Sequence, residues 1–310
     1  MSLENIFNKS WKDFKSNWKL SLKASFWFLI LPAIVFTLIL SIIGAGIWSS
    51  YIRSPENLQN STDFLRMTGN AVNDSLQNTS TLVGLLSFII LGAVVLIIFY
   101  YFFHLFITYI SVYNEKGKIS FKDASRNCRK YFWKFLWLIF LLIVIIYVAL
   151  LVPIGIGILF LVLFREVLVL GILILVLLVI CGFVLMTYLS VRLIFSPYIL
   201  LRENKGVIES FKISSRLVKG KWWKSFGYLI LFSLVIMGLS SVVSMGMQVI
   251  YSIFPILFLL STLAGPFWIA ALLFLVFAII IILYSLSIAL SSLVASLLIK
   301  NSYLEFRAGR

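Results

Sequence analysis

Polar side chains that interrupt long uncharged stretches are the first candidates for chemistry, because burying such groups in an apolar medium is costly and rarely accidental. They are few here. His104 sits among Tyr100, Tyr101 and Tyr109, Arg192 lies between Tyr188 and Ser196 just before Pro197, and Gln248 stands nearly alone in its run. With Tyr188 and Tyr198, His104 and Arg192 form a candidate site for a lipid headgroup phosphate, or the lining of a cavity for a solute. His104 lies 17 residues before Phe121 and Arg192 lies 19 before Phe211. Those phenylalanines hold matching places in repeated segments described below, so both groups fall at nearly the same level. A simpler reading of Arg192 is a long stem that lets the guanidinium reach the headgroup layer from a helix that has already crossed the bilayer.

The same inventory argues against most catalytic chemistry. One His and two distant Cys cannot make a familiar zinc set, and no His-Glu-x-x-His occurs. Gly220-Lys221 is followed by Trp222 rather than Ser or Thr, and no Gly precedes it at the spacing of a phosphate-cradling loop. No carboxylate interrupts an apolar run: Glu166 is at a hairpin tip and the other acids read as loop or tail residues. This weakens a proton- or sodium-coupled carrier. The expectation is a protein with no enzymatic activity, cofactor or metal. Cys128 falls in a basic stretch and Cys181 in an apolar run, so a bridge between them is not expected.

The elements that position these residues follow from composition. Hydrophobic residues make up 62% of the chain and charged ones 12%, the balance of a chain whose solvent is mostly lipid. Runs long enough to span a bilayer occur at Leu22–Trp48, Thr81–Thr108, Phe135–Phe164, Val167–Val191, Phe226–Ile253 and Phe267–Ile299. The segment Phe254–Pro266 is apolar but carries Pro255, Gly265 and Pro266, and reads equally as a buried loop or a re-entrant turn. Gly44-Ala45-Gly46 raises the question of a cleaved signal peptide, but the first run is about twice as long as a signal core, so this helix is expected to stay as an anchor.

Charge placement sets the orientation. Of 26 Lys and Arg, 22 lie in the N-terminal arm, the second-to-third and fourth-to-fifth connections and the tail. Only Arg53, Arg66 and Arg165 lie on the other side, so positive-inside bias puts both termini in the cytoplasm of a cell (plasma or inner) membrane. The net charge of +15 is thereby assigned to anionic membrane lipids or to a cytoplasmic or membrane protein partner, and not to nucleic acid. The outer loop Ser49–Ser80 holds three Asn-x-Ser/Thr triplets at Asn60, Asn73 and Asn78. Such triplets arise by chance in an Asn/Ser-rich loop, which is expected to act as a connector.

Three basic stretches end in a Trp-Lys pair before a long apolar run: Trp18-Lys19, Trp133-Lys134 and Trp223-Lys224. Aligning the pairs puts Ser10, Ser125 and Ser215 in one column, and Phe121-Lys122 and Ser125-Arg126 match Phe211-Lys212 and Ser215-Arg216. The expected architecture is an all-α, polytopic membrane helix bundle. It has six transmembrane helices in three quasi-repeats (1–112, 113–201 and 202–300), each an interfacial amphipathic helix plus a transmembrane hairpin, with a cytoplasmic tail over 301–310. In the first stretch Leu3, Ile6, Phe7, Trp11, Phe14 and Trp18 fall within about 140° of arc, with the lysines opposite. Such helices lie in the interface with apolar faces toward the acyl chains. Anchoring through Trp and Lys is the plainer role, and gathering anionic lipid is the further one. The serine stripe Ser285, Ala289, Ser292 and Ser296 suits close helix packing, and Pro32 and Pro153 are candidate kinks.

Phe195-Ser196-Pro197-Tyr198 through Glu203 and Gly206, followed by Glu209-Ser210-Phe211-Lys212-Ile213-Ser214-Ser215-Arg216 and Lys219-Gly220-Lys221-Trp222-Trp223, resembles the membrane domain associated with glycerophosphoryl diester phosphodiesterases. It is similar too to related multi-pass inner-membrane proteins of bacteria and archaea. The pattern is an extended Pro-containing segment, an acidic residue and Gly, then a helix ending in Lys-Gly and an aromatic. Ile208-Glu209 departs from the usual Ala. The resemblance is sharpest over Tyr188–Leu231 and implies a multi-pass helical bundle. It carries no phosphodiesterase activity, which belongs to a separate soluble domain in the fused members. The functional expectation is a non-enzymatic envelope or lipid-associated factor whose basic helices engage the cytoplasmic leaflet. The alternative is a permease for a small solute or lipid, with a cavity between the repeats.

Overall fold

The computed structural model describes residues 3–40, 79–113, 119–163, 168–264 and 266–308. Asn60, Asn73, Asn78, the Gly44-Ala45-Gly46 triplet, Arg53, Arg66, Arg165 and Glu166 lie outside them. Among the described residues the chain is all-helical, with no strand. The helices are α1 (Leu3–Ser25), α2 (Thr79–Tyr113), α3 (Phe121–Leu163), α4 (Leu168–Leu193), α5 (Ser196–Arg202), α6 (Val207–Val218), α7 (Trp222–Ala264) and α8 (Pro266–Ala308). Six stretches are long and apolar enough to cross a membrane: Glu4–Leu40, Leu86–Tyr113, Phe121–Leu163, Val169–Arg202, Trp222–Ser241 and Ala278–Ala308.

Local chemistry explains where these helices start and change. Ser120 and Asp123 cap α3 reciprocally: the Asp123 N–H donates to Ser120 Oγ at 3.3 Å and the hydroxyl donates to the Asp123 carboxylate at 2.9 Å. α5 opens with Pro197 in its first turn, where the missing N–H is harmless. Gly220, at φ +81°, occupies the left-handed region and separates α6 from α7. After α1 the helix widens into a π turn, Phe26–Ile30, in which the Leu31 N–H donates to the Phe26 carbonyl five residues back. Pro32 follows directly, and a wider turn is one way to relieve the ring of a helical proline. Pro153, by contrast, lies inside an uninterrupted α3.

Several expectations change. The amphipathic stretches of the first two units are not separate helices: helix runs unbroken from Glu4 to Leu40 and from Phe121 to Leu163, because no breaker follows either Trp-Lys pair. Only the third stretch, which ends at Gly220, is a helix of its own. The Pro-containing segment is the short helix α5 rather than extended chain. The Phe254–Pro266 segment is neither loop nor re-entrant turn over its described part, since α7 stays helical to Ala264 and α8 begins at Pro266. Residues 301–308 continue α8, with Tyr303 and Phe306 in the core.

The chain divides into two compact units. The first comprises Met1–Ser21, His104–Leu239 and Leu290–Arg310. Its apolar core gathers Ile6, Val191, Phe195, Tyr198, Ile199, Val218, Phe232, Leu298, Tyr303 and Phe306 around α5, four of whose residues are 4% exposed or less at Tyr198–Leu201. Ala124, Cys128 and Phe135 are buried in protein, so this apolar face of α3 is not turned to acyl chains as expected. Beyond this core α3 and α4 form an antiparallel hairpin closed by glycine. A Cβ on Gly157 would lie 3.2 Å from the Leu175 Cα, and one on Gly182 would lie 3.1 Å from the Leu150 carbonyl oxygen. Neither position has room for a larger side chain.

The second unit comprises Leu22–Phe103 and Ser240–Ala289. Phe28 meets Phe102 edge-on with ring centroids 4.9 Å apart. Phe36 stacks on Phe88 and fills the space beside Gly92, where an added Cβ would fall 1.8 Å from the ring. The Ser25 hydroxyl donates to the Ser285 carbonyl at 3.1 Å.

Candidate functional site

The richest polar chemistry lies in the first unit, where the start of α1 meets the end of α8. Ser10, Asp13, Asn17 and Ser21 recur every three or four residues, share one face of α1, and are all buried. Lys300 and Asn301, 1% and 2% exposed, answer from α8. Lys300 Nζ lies 2.8 Å from Asp13 Oδ2, and Asn301 Nδ2 donates to Ser10 Oγ at 2.8 Å. The Ser10 hydroxyl donates onward to the Leu297 carbonyl. A buried ion pair contributes little net stability, yet removing one member leaves the other charge uncompensated.

A second group joins α2, α5 and α8. The Tyr198 hydroxyl lies 2.9 Å from the Ser296 carbonyl and 3.0 Å from its Oγ, and Ser296 Oγ donates to Ser111 Oγ at 2.8 Å. Ser111 in turn donates to the Thr108 carbonyl, and Thr108 to that of His104. Ser296, at the end of the α8 serine stripe, thus hydrogen-bonds across helices.

A third group closes the end of α8. Glu203 accepts from the Tyr303 hydroxyl at 2.6 Å and pairs with Arg307 at 2.8 Å. Glu305 pairs with Lys224 at 2.7 Å and accepts from the Tyr228 hydroxyl at 3.3 Å. Asp13, Glu203 and Glu305, read from sequence as loop or tail acids, are therefore inside the packed unit, with side chains 9%, 17% and 8% exposed. Outside the spans, Lys205 and Glu209 pair at 2.8 Å across one helical turn. Their mutual hydrogen bond raises the ammonium above its ordinary range and lowers the carboxyl below its own.

The residues singled out from sequence divide among different settings. Arg192 is half-buried, with its guanidinium 5.1 Å from the centre of the Tyr188 ring, and its carbonyl accepts from the Ser214 hydroxyl at 2.7 Å. Tyr188 also stacks on Trp222. Tyr198 does not join them at the surface: it is 4% exposed and committed to Ser296. His104 lies on α2 in the chain of hydroxyl bonds just described. Among the anchors, Trp133 and Trp223 are 75% and 77% exposed, and Lys134 is exposed beside Trp133. Lys19 places its ammonium 5.8 Å from the centre of the Trp18 ring. Lys224 is not a plain anchor, because it also pairs with Glu305.

A cavity of about 560 Å³ opens where these groups meet, lined by Lys9, Lys221, Lys224, Asn301, Glu305 and Phe306, with Leu304 and Ala308. It was not visible in the sequence. Its lysines come from two distant parts of the chain, Lys9 in α1 and Lys221 with Lys224 at the start of α7, and the serine spacing of α1 was hidden beneath the stronger contrast of aromatic and lysine faces. Among the described residues no three His, Cys, Asp or Glu side chains converge as a metal would need. Compared with protein-family models, with curated proteins and with solved structures, the chain matches none.

Proposed function

We propose that the protein is a non-enzymatic, multi-pass membrane protein of the cell (plasma or inner) membrane, with both termini cytoplasmic. It acts as an envelope or lipid-associated factor that holds anionic lipid of the cytoplasmic leaflet against its basic helices, and the same surface is open to a cytoplasmic or membrane protein partner. The kinship to the membrane domain named above is part of this reading. The observation that carries it is the pairing of outward-facing tryptophan with lysine at the start of apolar runs. Trp133 and Trp223 are the most exposed aromatics among the described residues, each followed by Lys and then by an uncharged run.

The quasi-repeats belong to the same proposal, and matched burial supports the second and third. Offset by 90 positions, Ala124, Cys128, Phe135 and Leu138 correspond to Ser214, Val218, Ser225 and Tyr228, and all eight are buried. In the first unit only Asp13, in the column of Cys128, keeps this pattern.

The test is lipid composition around the purified protein in nanodiscs made from phosphatidylglycerol and phosphatidylcholine. The retained lipid is expected to be enriched in phosphatidylglycerol over the bulk. Replacing Lys122, Arg126, Lys130 and Lys134 with Gln is expected to lower that enrichment severalfold, since each basic residue near an anionic surface contributes roughly 1 kcal/mol. Arg192→Ala is expected to lower it further. Retained lipid of bulk composition in the unaltered protein would end the reading.

A further inference from the structure

Among the described residues, the cavity at the end of α8 is lined by more basic than acidic side chains. Three ammonium groups line it against one carboxylate, and that carboxylate, Glu305, already holds Lys224 at 2.7 Å and the Tyr228 hydroxyl. Lys221 and Lys224 both bring their ammonium groups to the Phe306 ring, at 5.8 Å and 5.9 Å from its centre. The ring attracts each cation, yet like charges gathered at one ring repel, and an anion between them would turn that repulsion into attraction. Both lysines flank the first turn of α7, the end of a helix that favours negative charge.

Asn301 is the second, independent sign of a ligand. It lines the same cavity, is 2% exposed, and its Nδ2 is spent on Ser10 while Oδ1 has no hydrogen-bond partner. A buried acceptor left unpaired costs on the order of 1–3 kcal/mol. A donor on a ligand would satisfy it. The volume of about 560 Å³ falls among small-molecule sites, about 300–1,000 Å³, and exceeds what a bare phosphate needs.

We propose that this cavity binds a phosphate ester, its oxygens held by Lys9, Lys221 and Lys224 and a neighbouring hydroxyl or amine donating to Asn301 Oδ1. The same chemistry is offered by a phospholipid headgroup and by a soluble phosphate ester. Trp223, 77% exposed between Lys221 and Lys224 in sequence, favours the lipid. That choice of source rests on the membrane-lipid function proposed above, whereas the site itself does not.

Two assays on the full chain separate the possibilities. Native mass spectrometry after release from phosphatidylglycerol and phosphatidylcholine nanodiscs counts lipids that survive delipidation, and calorimetry in detergent measures binding of inorganic phosphate. Three variants are compared with the unaltered protein. Lys9→Gln with Lys221→Gln removes charge, Lys9→Arg with Lys221→Arg preserves it, and Ala308→Trp fills the recess while leaving every lysine in place. The expected result is one tightly retained phosphatidylglycerol whose retention falls about tenfold or more in the Gln pair and in Ala308→Trp, and survives in the Arg pair. Phosphate binding with the same variant pattern but no retained lipid would uphold the site, assign it a soluble ligand and remove the lipid source. Equal retention in the Gln pair and in Ala308→Trp would overturn the site while general enrichment of anionic lipid stood. Absence of both retained lipid and phosphate binding would overturn the site as well. Should the Gln pair fail to fold, Ala308→Trp alone decides.

Discussion

The α3–α4 hairpin and the junction of α1 with α8 solve one problem in opposite ways. Lipid tails are as apolar as leucine, so apolar side chains alone give two helices little reason to associate. The hairpin relies on close approach, with Gly157 and Gly182 pressed to the backbone of the facing helix. Its hydroxyls are spent locally: Thr187 and Ser190 donate to carbonyls four residues back in their own helix. At the α1–α8 junction Ser10, Asp13, Lys300 and Asn301 reach across instead, while Asn17 and Ser302 also bond within their own helices. The difference is one of tolerance. A glycine contact is lost by adding atoms, whereas a paired charge is lost by removing them.

Asp13→Ala should do the most damage, since it removes the carboxylate paired with Lys300 at 1% exposure. Destabilisation of about 3–5 kcal/mol is expected, read from unfolding in mixed micelles. The double variant Asp13→Leu with Lys300→Met should recover most of it, and a double variant as weak as the single would show that the pair itself is not the cause. Gly157→Leu should cost about 1–3 kcal/mol by overpacking against Leu175, in the same assay. A neutral result would mean that the hairpin is looser than its backbone approach indicates. Ser296→Ala is the mildest change, because interhelical hydrogen bonds in lipid average about 0.6 kcal/mol. A loss several times larger would make the Tyr198–Ser296–Ser111 group a keystone of the core.

How much of this could be read from the chain depends on range. The six apolar runs are local periodicities and reappear in the helices, whereas a Trp-Lys pair marks a helix start only at Trp223, and of the α8 serine stripe Ser296 bonds across helices. The polar junction is not local. Ser10, Asp13, Asn17 and Ser21 carry a small-polar spacing that marks helix contact, but on the wheel Ser10, Asn17 and Ser21 fall inside the apolar arc and Asp13 at its edge, where the larger aromatic side chains mask them. Lys300 counted as one more basic residue of a tail. Nothing within a single helix tells that Asp13 and Lys300 meet across 287 residues. The same limit hid the cavity: Lys224 reads from sequence as an interfacial anchor, and Lys9 and Lys221 as members of two separate basic stretches.

The order of synthesis gives the Asp13–Lys300 pair one more meaning. Asp13 lies in α1 and Lys300 in α8, so the acid waits through the synthesis of 287 residues for its base. Until then the polar stripe of α1 has no lasting place in hydrocarbon, and the half-made bundle must keep it near water or lend it to a passing partner. Arrival of α8 ends that wait and closes α1 in the same event. A ribosome stalled before residue 300 would release a product marked by an open acidic seam, a form that quality-control proteases could tell from the finished protein.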